Sequence, residues 1–224
     1  MKLKYLAAIL IGIASLALQQ AKADTITLGV GNPAISGFPP PYATANITVA
    51  GNGLSATVTF TSAVNSTYVY FMGDGGSVAL NVNGSFSLSN LAASNSFSGS
   101  GFHPPAPVNA GAGNDDGFGQ FTLRLNTGSG YATSATTISF TVTNLSGTAW
   151  TGVTSGLHPF LLANNRGYFV ASHIFVGLLS NLRQGAQATG YAGNGTVPDG
   201  GATVMLLGMA LGALGVARRY LLGS

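Results

Sequence analysis

Ser55-Ala56-Thr57-Val58-Thr59-Phe60-Thr61 alternates without a break, with Val58 and Phe60 on one face and threonines on the other. Successive side chains of a strand point to opposite sides, so this pattern predicts a strand with one buried and one wet face. The same rhythm returns in three further places. Ser77 to Val82 turns Val78, Leu80 and Val82 inward, Gly119 to Asn126 does so with Phe121, Leu123 and Leu125, and Thr137 to Thr143 with Ile138, Phe140 and Val142. Asp74-Gly75-Gly76 and Asn83-Gly84 fall between such runs and read as hairpin turns. Gly167 to Leu178 is almost continuously apolar, as a strand buried on both faces is. Ser94 to Asn114 is a long Ser, Gly, Pro, Ala and Asn run that reads as a loop. With no helical period in this region, the expected fold is all-β, an antiparallel β-sandwich of jelly-roll or Ig-like type.

The chain has 224 residues and no cysteine, which removes thiol catalysis, Cys-ligated zinc and disulfide stapling. Its formal charge of +3 is misleading. Lys2, Lys4, Lys22, Arg218 and Arg219 all lie near the termini, and the region between holds Arg124, Arg166 and Arg183 against Asp24, Asp74, Asp115 and Asp116. That leaves a net of −1, without the basic patch that nucleic acid or anionic lipid requires. Folding must rest on ordinary core burial, at roughly 1.5–3 kcal/mol for each buried Val, Leu, Ile or Phe.

Few side chains offer chemistry. Asn114-Asp115-Asp116-Gly117 holds the only acidic pair and reads first as a solvated turn entering a strand at Phe118; its glycine-rich setting also makes Asp115 and Asp116 the candidate ligands of a calcium ion. His103, His158 and His173 lack metal-ligand spacing, and no Gly-x-Ser-x-Gly elbow is present. A glycosidase needs two placed carboxylates, so Asp74 would have to join Asp115 or Asp116. Aromatics in a sandwich usually pack in its core; the other reading makes Trp150 and Tyr168, with Tyr42, Tyr68, Tyr70, Tyr131 and Tyr191, the candidates for a sugar-stacking platform. Asn-x-Ser/Thr sequons at Asn46, Asn65, Asn83, Asn144 and Asn194 are expected by-products of a Ser/Thr/Asn-rich surface.

Both ends of the chain carry addresses. Lys2 and Lys4 precede an apolar run from Tyr5 to Leu18, and Ala21-Lys22-Ala23 supplies the small-x-small pattern of signal peptidase. Residues 1–23 are therefore read as a signal peptide cut after Ala23. At the other end, Val197-Pro198-Asp199-Gly200-Gly201 leads into an apolar stretch from Ala202 to Ala217, closed by Arg218-Arg219. As a helix that stretch spans about 24 Å at ~1.5 Å per residue, short of a bilayer core of about 30 Å. The paired arginines stop transfer and stay cytoplasmic, which places the region 24–196 on the outer side of the membrane.

Residues 197–224 resemble the VPDSG-CTERM sorting signal, a variant of the PEP-CTERM tails of Gram-negative bacteria; the family pattern has Ser where this chain has Gly200. The resemblance implies recognition of the motif by an exosortase, a membrane-embedded cysteine transpeptidase, at an inner-membrane intermediate. The body is then released or attached at the cell surface, often in species that make exopolysaccharide.

The organisation expected from sequence is thus a signal peptide (1–23), one β-sandwich domain (24–196) and a sorting tail (197–224). The expected function is that of an exported cell-surface or extracellular-matrix component without catalytic activity or cofactor, associating with itself or with exopolysaccharide. Its processing partners are signal peptidase and exosortase, and nucleic acid is not among its partners. The alternatives are a carbohydrate-binding module built around Trp150 and a calcium-dependent surface hydrolase using Asp74, Asp115 and Asp116.

Overall fold

The computed structural model describes residues 22–150 and 159–195. Ala21 of the cleavage pattern, His158, the motif Val197–Gly201, the apolar stretch and Arg218-Arg219 lie outside the described residues. Among those described, no helix is long and apolar enough to cross a membrane.

Among the described residues thirteen strands follow one another: β1 (Lys22–Gly31), β2 (Ala43–Val49), β3 (Ser55–Ser62), β4 (Tyr68–Met72), β5 (Val78–Leu80), β6 (Phe86–Ser94), β7 (Val108–Asn109), β8 (Gly113–Asp115), β9 (Gly119–Phe121), β10 (Leu123–Asn126), β11 (Thr137–Asn144), β12 (Val170–Leu178) and β13 (Ala186–Asn194). All strand pairs are antiparallel. The main sheet runs β6-β11-β3-β2-β1-β13-β12-β5-β10-β7, with β4 also on β12, while β8 and β9 form a separate hairpin.

The all-β, antiparallel expectation holds, but the strands do not divide into two hydrogen-bonded sheets. One sheet bends over a common core and nearly closes. Met72, at the end of β4, donates to the Ala135 carbonyl at 2.8 Å, and Ala135 donates back at 2.7 Å. Ala135 sits just ahead of β11, so the path β11-β3-β2-β1-β13-β12-β4 returns to its start at that end. A sheet that closes in this way leaves few open edges, as in a barrel. Inside lie Ile26, Leu28, Ile47, Val58, Phe60, Tyr70, Met72, Phe140, Ile174 and their neighbours in one continuous core.

β3 and β11 match the sequence expectation, with Val58, Phe60, Ile138, Phe140 and Val142 all buried. β12 is buried on both faces, as its apolar run predicts. Two strands depart from it. β5 is short and has no wet face, because Ala79 packs outside the barrel against Phe118, Phe121 and Ala171. The run 119–126 is broken at Thr122, whose hydroxyl accepts from the Val82 N–H at 2.7 Å and lies within reach of the Leu80 and Val82 carbonyls. The break reverses parity: Phe121 joins the outer cluster, whereas Leu123 and Leu125 enter the barrel.

Neither expected hairpin forms. β4 and β5 lie end to end along β12, so Asp74-Gly75-Gly76 is a bend between two strands on the same side of β12. Asn83-Gly84 carries the chain across to β6, which pairs with β11. The stretch 94–114 is not wholly loop, since it contains β7 and the start of β8. The first strand begins at Lys22, so a cut after Ala23 leaves Asp24 as its first residue, opposite Ile47.

Candidate functional site

The alternation that buries Val58 and Phe60 places small polar groups in register on the outside of β1, β2, β3, β11 and β6. One rank runs Thr27-Thr44-Thr61-Thr137-Ser94, a second Thr25-Asn46-Thr59-Ser139-Ala92 and a third Ala23-Thr48-Thr57-Thr141-Ser89. Neighbouring strands stand about 4.8 Å apart and same-face residues about 6.8 Å, so the ranks form a two-dimensional array of hydroxyls and amides. None of its members is charged. The Thr25 hydroxyl donates to Asn46 Oδ1 at 2.6 Å and the Asn90 amide to the Thr141 hydroxyl at 3.2 Å, which ties parts of the array together. Its outer margin is β6, which among the described residues pairs only with β11 and carries no charge. A bulge at Asn90, in the left-handed region with φ 53°, splits that margin into two short pieces. Bulges of this kind blunt pairing along an edge.

The residues expected to stack on sugar do not form a platform. Trp150 is only 3% exposed and packs edge-on against Phe160 at 4.8 Å, while its indole N–H donates to the Asn83 carbonyl at 3.0 Å. It is a core residue that seals one end of the barrel. Tyr168 lies against Phe118 on the far side of the sheet. Tyr42 and Tyr70 pair inside the barrel, and Tyr131 belongs to another cluster with Phe71 and Phe102. Trp150 thus packs in the core, the usual place for an aromatic in such a fold.

The acidic pair departs from a solvated turn at Asp115, and its two carboxylates are placed differently. Asp115 is fully buried, and its Oδ1 lies 2.8 Å from Arg124 Nε. The contact is not aligned as a hydrogen bond, and neither carboxylate oxygen has a hydrogen-bond partner among the described residues. Burial therefore outweighs the Arg124 charge and pushes the Asp115 carboxyl up to about 7. Asp116 turns away to the surface, 3.5 Å from the Asn32 amide. Asp74 accepts from the Gly75 N–H at 2.8 Å in its own turn. Among the described residues no three His, Asp or Glu side chains gather as a metal site would require.

Sequence reasoning missed that Arg124 is the partner of Asp115. The signal was the scarcity of charge, since so neutral a domain buries an aspartate only beside a cation. Close approach makes the pairing possible. A Cβ on Gly113 would strike the Arg124 guanidinium, and one on Gly76 would stand 2.7 Å from Asp115 Oδ1. Arg124 also donates to the Gly75 carbonyl at 2.6 Å, which takes the Tyr191 hydroxyl at 2.8 Å. Nearby, His173 Nδ1 bonds the Gly73 carbonyl at 2.6 Å and Nε2 meets the Thr189 hydroxyl at 2.9 Å. A carbonyl only accepts, so Nδ1 carries the proton. Burial holds the ring's pKa below its ordinary value. Of these groups, the Asp115–Arg124 pair ties the β8–β9 hairpin to β10 of the main sheet.

The third feature is the exit of the chain. β13 lies between β1 and β12 in the sheet and ends at Asn194. This buried amide accepts from the Phe169 N–H at 2.9 Å and the Val170 N–H at 3.0 Å, and donates to the Gly195 carbonyl at 3.0 Å. It fastens the last strand to the start of β12 before the chain leaves the body. The VPDSG-CTERM motif family matches residues 196–221, beginning at the next residue. No curated protein and no solved structure matches the chain. A tail similar to this motif is a C-terminal sorting signal. It implies an exported, envelope-targeted protein handled by exosortase-like machinery.

Proposed function

We propose that this chain is the precursor of a non-catalytic surface or matrix protein whose body adsorbs to neutral polysaccharide. In this reading residues 1–23 direct export and the stretch Ala202–Ala217 holds the precursor in the inner membrane. An exosortase acts at Val197–Gly201, and the freed body becomes part of the cell surface or its surrounding matrix. No metal or cofactor takes part.

The observation that carries the polysaccharide reading is the uncharged array on β1, β2, β3, β11 and β6. Ranks of hydroxyls and amides both donate and accept hydrogen bonds, as the hydroxyls of a neutral glycan do. An uncharged face also avoids the cost of stripping water from ions on contact. Co-sedimentation of the body with insoluble neutral glucans, cellulose and curdlan, tests this. Wild-type protein is expected in the pellet, and Thr57→Lys/Thr59→Lys, which places two solvated charges mid-array, in the supernatant. Equal partition of the two proteins contradicts the reading.

Self-association through β6 is the second reading, motivated by its open, uncharged margin. The Asn90 bulge limits such pairing to short pieces, which favours glycan as the main partner. Sedimentation velocity over a concentration series separates the two, since the glycan reading predicts a monomer in free solution.

A further inference from the structure

We infer that the end of the barrel toward which the last strand runs is a membrane-docking surface, resting on lipid headgroups until the tail is cut. The inference rests on the proposed membrane insertion of Ala202–Ala217. Hydrogen bonds trace this rim continuously from the exit. Asn194 holds Phe169, the Phe169 carbonyl takes the Asn81 N–H at 3.0 Å, and the Asn81 carbonyl takes the Leu162 N–H at 2.9 Å. Asn83 bonds the Phe160 carbonyl at 2.9 Å and receives the Trp150 indole. The Trp150 N–H reaches the Gly53 carbonyl, and the adjoining Leu54 carbonyl takes the Asn144 N–H, both at 2.9 Å.

On this rim stand Leu54, Leu145 and Leu162, which are 44%, 61% and 49% exposed. Leu54 lies in the β2–β3 connection, and Leu145 and Leu162 both lie in the β11–β12 connection; the stretches 50–54, 144–148 and 159–163 contain no charged residue, and Arg166 follows them. Scattered apolar side chains on a surface are ordinary. Here Leu162 lies beside the exit, whereas Leu54 and Leu145 stand at the end toward which β13 runs, six residues of β1 beyond Asn194. Only six residues, 196–201, separate Gly195 from the apolar stretch. Fully extended they reach about 20 Å, so insertion of the tail holds the rim within roughly that distance of the bilayer. At that tether length the leucines meet lipid at high effective concentration without needing affinity of their own. After cleavage the same rim would let go, which suits a body destined to leave.

The chain has no cysteine, so single-cysteine variants carry one label each. The full-length protein is reconstituted in vesicles of phosphatidylethanolamine and phosphatidylglycerol and labelled with nitrobenzoxadiazole at Leu54→Cys, Leu145→Cys, Leu162→Cys, Val64→Cys or Leu211→Cys. Val64, 52% exposed beyond the far end of β3, is the matched control. Headgroup spin-labelled lipid is expected to quench the three rim positions and spare Val64→Cys. Acyl-chain spin label is expected to quench Leu211→Cys. Quenching of Leu211→Cys with rim emission equal to that of Val64→Cys overturns the docking inference alone. Failure to quench Leu211→Cys overturns the insertion reading and the inference with it.

Discussion

Asp115 and His173 lie close in the fold, yet burial moves them in opposite directions. The Asp115 carboxyl titrates at about 7 in the folded protein, against about 3.9 in an unfolded chain. Between those values the native state holds a proton that the unfolded state has lost, so stability falls as pH rises through the window. His173 has its pKa lowered by burial. Its contribution is complete above about 6.5 and is lost as pH falls through the folded value. Urea midpoints measured from pH 4.5 to 8 are expected to lose the alkaline decline in Asp115→Asn and the acidic decline in His173→Gln. Identical profiles for wild type and Asp115→Asn would contradict the pairing described. Asn194→Ala removes the acceptor of two backbone N–H groups. It is expected to cost about 2–6 kcal/mol at ~1–3 kcal/mol per buried unpaired group, read by chemical denaturation.

At the scale of elements, what the sequence revealed was whatever local alternation decides. Val58-Thr59-Phe60 and Ile138-Ser139-Phe140 oppose each other across β3 and β11, and each has its polar side in water. Their parity is therefore written in their own residues. Phe140→Asp, which drives a charge into the barrel, is expected to prevent folding; a soluble variant with a cooperative unfolding transition would refute its placement. The break at Thr122 was hidden because it depends on hydrogen bonds to β5, some forty residues away. The turns were only half legible. Asp74 and Gly76 adopt positive φ (58° and 101°), as their chemistry suggests, but β4 and β5 are joined through β12, which comes about ninety residues later. Trp150 illustrates the same limit, since an aromatic in a connection reads alike whether it seals a core or meets a ligand. Trp150→Ala is expected to cost about 3–5 kcal/mol of stability, the usual cost of emptying a large core site, with no specific loss of glycan adsorption in the molecules that remain folded.

At the scale of the molecule, a nearly closed sheet solves the problem of a chain with few charges to protect its edges. Closure through Met72 and Ala135 leaves β6 as the long free margin, and a bulge interrupts it. The outer face is then free to carry ranks of threonine, and the last strand delivers the chain directly into the sorting signal. The body and its address abut without a linker of appreciable length, so processing must take place close to the folded domain. Intact-mass spectrometry of the native protein from cells and medium tests this account most directly. The predicted species begins at Asp24 and ends within Val197–Gly201, with any added group at that new C-terminus. A polypeptide found only as Met1–Ser224, in the cytosol, would contradict it.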